Sequence, residues 1–292
     1  MNIEPDRQPT IRRVVQTSIA VTVRRYLDNA PAIARHDEPE GVHQARVATR
    51  RLRSDFRTFR RFLDRDWADG LRNDLRALTD LLGPVRDLDV LHMHLGGLIE
   101  QVPDSERRAA EEILETLETE RREARSRLVR GFAEPWYPEL LVRLTEAGEA
   151  PRIVEAADLP AGPILVKLAG KPLRKLRAAV RDLPVEPTAV ELHRIRILTK
   201  RARYAVEAVS PVGGEAAEVL ASSLSELQDV LGEHQDAVVA GRWLRKSDSS
   251  LALAAGELIG FEISRANRAA AGWRDIWDSI DGGQQARWLE PN

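Results

Sequence analysis

The chain has 292 residues, enough for one large domain or two of ordinary size, and its 44 Lys+Arg against 46 Asp+Glu leave a formal net charge of only −2. Hydrophobic residues at 43 % and charged residues at 31 % exclude a disordered chain, and the absence of Cys excludes disulfides, thiolate nucleophiles and cysteine metal sites while fitting a reducing compartment. No run approaches the roughly 20 apolar residues of a membrane span, and "MNIEPDRQPT" lacks the basic-then-apolar layout of a secretory leader, so a cytoplasmic protein without a membrane partner is expected.

From Gln8 onward nearly every segment carries apolar residues at three- and four-residue spacing, and period-2 strands with hairpin turns are missing. The expected fold is all-α. Breaks are expected at 37–41 ("DEPEG"), 82–84 ("LGP"), 102–106 ("VPDSE"), 134–138 ("EPWYP"), 182–188 ("DLPVEPT"), 210–214 ("SPVGG") and 231–232 ("LG"). The Pro- and Gly-bearing stretch 148–163 divides the chain into a first helical half, 8–147, and a second, 164–282.

The segment "HQARVATRRLRSDFRTFRRFLDR" begins at His43 and concentrates charge in this nearly neutral chain. At about 100° per residue, His43, Arg46, Arg50, Arg53, Arg57 and Arg60 share one helix face, while Ala45, Ala48, Leu52, Phe56, Phe59 and Leu63 share another. A solvated helix face ordinarily interleaves signs for i,i+4 pairing, as the glutamates and arginines of 106–123 do. The ridge instead contains a single acid, Asp55, on a different face, and such repulsion persists more readily where a polyanion or a set of acidic side chains neutralises it. Arginine's planar fork suits phosphate oxygens in particular.

Next in order, "LTDLLGPVRDLDV" (78–90) carries Asp80 and Asp87 around a Leu-Gly pair, followed by His92 and His94 in "LHMHL". Two-residue spacing on a helix points those histidines about 200° apart, against shared metal coordination. In the second half, "VKLAGKPLRKLRAAVR" places Lys167, Lys171, Arg174 and Arg181 along one face, with Arg13 and Arg24 as a weaker counterpart in the first. Thr188 with Glu191 three residues on reads as a capping box. Then the earlier blocks return. "HRIRILTKRAR" from His193 repeats "HQARVATRRLR", so that His193, Arg196, Lys200 and Arg203 restate the ridge, with Glu207 where the first copy has Arg57. "LQDVLGEHQDAVV" (227–239) repeats the Leu-Gly block with Asp229 and Asp236. The order and separation are nearly the same in both halves, so a duplicated helical unit is the economical reading.

These four blocks resemble the paired motifs of the CHAD domain, a histidine-containing α-helical domain, over about Gln8 to Ile280. The resemblance implies two pseudo-symmetric four-helix bundles around a central basic cleft or pore that binds inorganic polyphosphate. It places His43, Arg46, Arg50 and Arg53 on the ligand from the first half, and His193, Arg196, Lys200 and Arg203 from the second. Arg57, Arg60, Lys167, Lys171, Arg174 and Arg181 extend the basic faces as further candidate contacts. It also implies polyphosphate granules as a site of association and polyphosphate-metabolising enzymes as candidate partners. The alternating-glutamate strand of a fused CYTH triphosphatase is not seen, so a stand-alone, non-catalytic binding or targeting module without cofactor or metal is expected.

Asp87 and Asp236 are expected to orient ridge arginines. For His43 and His193 both a phosphate hydrogen bond and a packing role remain open; a phosphohistidine lacks a triad-like partner or a carboxylate cluster for Mg²⁺ nearby. His36 and His234 carry no assignment, and the tryptophans read as core or interface anchors. Two other classes compete. A nucleic-acid backbone binder would want aromatics among the cations, yet Phe56 and Phe59 fall on the apolar face. A polyphosphate-processing enzyme would want a Gly-rich phosphate loop or an acid/base pair, and neither is legible.

Overall fold

The computed structural model describes residues 9–34, 39–283, 286 and 289, and within them every extended element is a helix. In chain order these are α1 (Ile11–Ala34), α2 (Pro39–Thr58), α3 (Arg65–Gly96), α4 (Asp104–Ala133), α5 (Trp136–Glu149), α6 (Gly162–Arg181), α7 (Ala189–Leu244) and α8 (Ala252–Asp281). The all-α expectation therefore holds, and α5 and α6 are separated at 150–161, inside the stretch 148–163 that was expected to join the two halves. No helix among the described residues is long and apolar enough to cross a membrane. His36 lies outside the described residues.

The expected breaks at 82–84 and 231–232 do not occur; both Leu-Gly pairs lie inside helices, α3 and α7. Interior Gly costs about 1 kcal/mol and Pro about 3 kcal/mol of helix propensity. Burial of Leu78, Leu82 and Val85 on one side of α3 outweighs it. Conversely, α2 and α3 are separated at 59–64, and α7 and α8 at 245–251, where no break was expected. An Asp opens each following turn: the Asp64 side chain accepts from Trp67 N at 2.8 Å, and Asp248 from Ser250 N at 2.9 Å. The capping box at Thr188 forms as expected, with Glu191 Oε2 accepting from Thr188 N at 2.7 Å.

The long α7 is two arms joined at Gly214, whose φ of 56° and ψ of −151° are open only to glycine. Nothing lies within 4 Å of where its Cβ would stand, so a substitution there meets backbone strain alone. Gly214→Ala is expected to lower stability by about 1–3 kcal/mol, read as a shift in urea midpoint. An unchanged midpoint would place the bend elsewhere.

The segment between α5 and α6 is pinned to the first half by backbone bonds: Ile11 N donates to Leu159 O, Asp64 N to Arg152 O and Val154 N to Phe62 O. One apolar core then runs through both halves, taking Leu52 and Phe56 from α2, Leu71 and Leu78 from α3, Leu176 from α6, and Ile195, Val206 and Leu227 from α7. A second cluster, including Leu95, Leu117, Leu244 and Leu258, joins the far ends of α3, α4, α7 and α8. Trp273 and Trp277 are core residues, as expected for anchors. The apolar faces read from sequence are the buried ones: Ala45, Ala48, Leu52, Phe56, Phe59, Ile195, Ala202 and Val206 are all essentially inaccessible. With those faces fixed inward, the cationic ridges of α2 and of the first arm of α7 emerge beside each other, because the two helices pack together.

Candidate functional site

Where α2 and α7 meet, a cavity of about 550 Å³ opens between the two halves. The first turns of α2 contribute His43, Arg46 and Arg50, and the first arm of α7 contributes His193, Arg196, Lys200, Arg203 and Tyr204. Both copies of the repeated Leu-Gly block contribute to the other walls: Arg86 and Asp87 come from α3, and Gln228, Gln235 and Asp236 from the second arm of α7. His94 of α3 and Arg265 of α8 complete the lining. Seven Lys and Arg side chains thus face two carboxylates.

Those carboxylates neutralise little of the charge. Arg46 Nη1 donates to Asp87 Oδ1 at 2.7 Å and to the Gly83 carbonyl at 3.0 Å, which gives the Leu-Gly pair of α3 a structural use. At the corresponding place in α7, the Arg196 guanidinium lies in van der Waals contact with the site a Gly232 Cβ would take. Asp236 has its pKa raised, by burial first, with Asp87 adding to the rise and Arg196 and Arg265 opposing it. Arg50, Arg86, Arg196 and Lys200 form no ion pair among the described residues. Arg50 Nη2 instead donates to Tyr204 Oη at 3.2 Å. Burial works to raise the Tyr204 phenol, but Arg50 and Arg203 outweigh it and hold its pKa below the ordinary value. Arg203 is fixed by Ser225 Oγ at 2.7 Å and stacks over the Tyr204 ring. Arg46 Nε, Arg196 Nε and His193 Nδ1 are buried without a hydrogen-bond partner. Buried polar atoms left without partners are costly.

Crowding shows most at Lys200. Burial, and after it Arg50, Arg196 and Arg46, lower its pKa from 10.5 to about 7, with Asp236 opposing. His43 is likewise lowered, by burial first and then by Arg86, while Glu40 opposes. An anion bound beside Lys200 would favour the charged amine, so its pKa would rise and the protein would take up a proton between about pH 7 and the new value. Affinity is therefore expected to fall as pH rises through that window. Calorimetry at pH 8 in Tris and in HEPES should give enthalpies that differ by the proton taken up, a difference that Lys200→Arg removes. Equal enthalpies for the parent would contradict this role.

The remaining predicted positions lie outside the cavity. Arg53 turns toward Thr79 of α3, Nη1 to Oγ1 3.4 Å, and Arg60 pairs with Asp69 at 2.7 Å. Arg57 and Lys171 line a separate recess, Lys167 and Arg174 stand on the exposed face of α6, and Arg181 lies 3.7 Å from Asp182. His92 and His94 meet different carboxylates, Glu118 and Glu262. His234 is buried, and burial lowers its pKa. Sequence reasoning missed Arg86, Tyr204, Gln228, Gln235, His94 and Arg265 as cavity residues. Arg86 was signalled by its place in the repeated block, whereas Arg265 carries no local pattern.

A family model described as the CHAD domain matches residues 17–245. Among solved structures, PptA from Streptomyces chartreusis has a TM-score of 0.77 at 19 % identity, over 92 % of this chain and 99 % of that one. The CHAD domain from the plant Ricinus communis has a TM-score of 0.73 at 23 % identity, over 98 % of this chain and 96 % of that one. An uncharacterized protein from Mycobacterium tuberculosis is 28 % identical over 225 residues, which are 70 % of this chain and 40 % of that relative, so the chain spans less than half the relative's length.

Proposed function

Since the chain belongs to the CHAD domain family, whose members are associated with polyphosphate, we propose that its central cavity binds inorganic polyphosphate as a linear ligand and does not cleave it. The observation that carries this reading is the set of cations without ion-pair partners on facing helices: Arg50 and Arg86 from one half, Arg196 and Lys200 from the other. The guanidinium forks of Arg50, Arg86 and Arg196 engage adjacent oxygens of the chain, and the Lys200 amine donates to them as well. His43 and His193 open the two ridges at the cavity wall and supply hydrogen bonds to the same oxygens. Asp87 holds Arg46 in place, whereas Asp236 acts on Arg196 through its charge alone, without an ion pair among the described residues.

Exposed ion pairs contribute about 0–1 kcal/mol each, and charge-assisted hydrogen bonds about 1.5–3 kcal/mol. Seven contacts at about 1 kcal/mol supply about 7 kcal/mol, a dissociation constant on the order of ten micromolar. Additional phosphates that reach basic residues outside the cavity bind without a second association cost, so longer chains bind more tightly. Against nucleic acid, Tyr204 is the one Phe, Tyr or Trp among the described lining residues, and the Arg203 guanidinium lies over its ring at 5.0 Å from the centroid, so it is already engaged and a poor stacking platform for bases. Association with polyphosphate granules and with enzymes that make or consume the polymer follows from this reading.

The test is an equilibrium titration with long-chain polyphosphate, with single-stranded RNA as competitor, followed by an assay for orthophosphate. Retention of polyphosphate in excess RNA without orthophosphate release supports the proposal. Displacement by RNA at equal phosphate would make the site a nucleic-acid surface, and steady orthophosphate release would make it an enzyme.

A further inference from the structure

Away from the central cavity, a recess of about 520 Å³ opens between α2, α3, α6 and α7. Its wall carries Arg57, Arg72, Arg201, Lys171 and Lys175, together with Thr58. Arg72 pairs with Asp69 at 2.8 Å; the other four cations have no ion-pair partner among the described residues.

The internal repeat explains why this recess is cationic. His43 and His193 stand 150 positions apart, and the same offset relates Arg51 to Arg201 and Arg57 to Glu207. Arg51 and Glu207 meet as an ion pair in the wall of another recess, of about 500 Å³, between α1, α2 and α7. Glu207 Oε1 also lies 3.4 Å from Arg203 Nε, so Arg51 and Arg203 share one carboxylate in that wall. The corresponding pair in the second recess is Arg201 with Arg57, two guanidiniums in place of a guanidinium and a carboxylate. Burial and then Arg201, Arg72 and Arg53 lower the Arg57 pKa, in keeping with mutual repulsion across the recess. One residue of the repeat has changed sign, and with it a closed ion pair has become a cluster of unpaired donors. Such a cluster is stabilised by a compact anion with several oxygens, which arginine forks and lysine ammoniums engage from opposite walls. Arg53 sits between Arg50 and Arg57 on α2 with its guanidinium turned to Thr79, so the recess is separate from the central cavity.

We propose that the α2–α3–α6–α7 recess is a second anion site, which takes a compact ligand of two or three linked phosphates on Arg57, Arg201, Lys171 and Lys175. It is independent of the central cavity and does not require that cavity to bind polyphosphate. The experiment uses the full chain carrying Arg50→Ala, Arg196→Ala and Lys200→Ala, which disables the central cavity, titrated calorimetrically at low salt with inorganic triphosphate and, separately, with ATP. Saturable one-to-one binding of either ligand is expected, and triphosphate without ATP would restrict the site to free inorganic anions. Adding Arg57→Glu restores the charge pattern of the Arg51–Glu207 pair, so it should weaken that binding at least tenfold while raising the ligand-free Tm by about 2 °C. No saturable binding to the triple variant, or equal affinity after Arg57→Glu in a folded protein, would overturn the proposal. Failure of the central reading has a different signature: long-chain polyphosphate affinity unaffected by the three alanines.

Discussion

Replacing Arg50, Arg196 and Lys200 together by alanine is expected to weaken binding of long-chain polyphosphate at least 100-fold while leaving Tm unchanged or raised. The two effects have one cause. None of the three side chains has an ion-pair partner among the described residues, and Lys200 is held down to about pKa 7 by burial and by its cationic neighbours. Removing them therefore relieves repulsion in the free protein and deletes contacts in the complex. Three contacts at about 1–1.5 kcal/mol amount to about 3–4.5 kcal/mol, which is 100-fold or more in affinity. Arg46 is left in place because its loss would strand Asp87, to which it donates at 2.7 Å. Equilibrium titration and thermal unfolding of parent and variant check both halves of the statement. Intact affinity, or a Tm that falls by many degrees, would mean that these residues serve the fold and not a ligand.

The largest stability effect is expected at Phe56, which is fully buried on the inner face of α2 and meets the Trp67 ring edge-on at 5.6 Å between centroids. Phe→Ala in a packed core costs about 3–5 kcal/mol through lost transfer energy and the cavity left behind. Phe56→Ala should lower the urea midpoint accordingly, and it should weaken polyphosphate binding only to the extent that the protein unfolds. The contrast with the triple alanine variant separates the two faces of α2: one carries the core, the other the charge. A loss below about 1 kcal/mol would contradict the burial assigned to this residue.

What the sequence made legible follows from periodicity. Helical spacing of Ala45, Leu52, Phe56 and of Ile195, Ala202, Val206 determined which faces turn inward, and the ridges of His43 to Arg50 and His193 to Arg203 had then to emerge together. The repeated Leu-Gly pairs predict breaks, yet they are helical, because local Gly and Pro costs yield to a long buried face. Their function is in placement: the Gly83 carbonyl accepts Arg46, and Gly232 adjoins Arg196. The ridge as one wall of a cavity was legible only over its first turns. Residues beyond Arg50 leave the cavity, Arg53 turning to Thr79 and Arg57 lining a separate recess with Arg201. Arg60, a candidate contact by its place on the ridge, pairs instead with Asp69 nine residues on. Arg265 and His94 reach the cavity from α8 and α3, and no pattern within those helices marks them.

The central claim is that a linear polyanion lies between the two ridges. The most direct measurement is a calorimetric titration with a length series, from triphosphate through medium to long-chain polyphosphate, against single-stranded RNA at matched phosphate concentration and two salt levels. Affinity per chain should climb with length, exceed that for RNA, and fall steeply with salt as condensed counterions are released. Affinity independent of chain length, or RNA bound as tightly as polyphosphate, would contradict it.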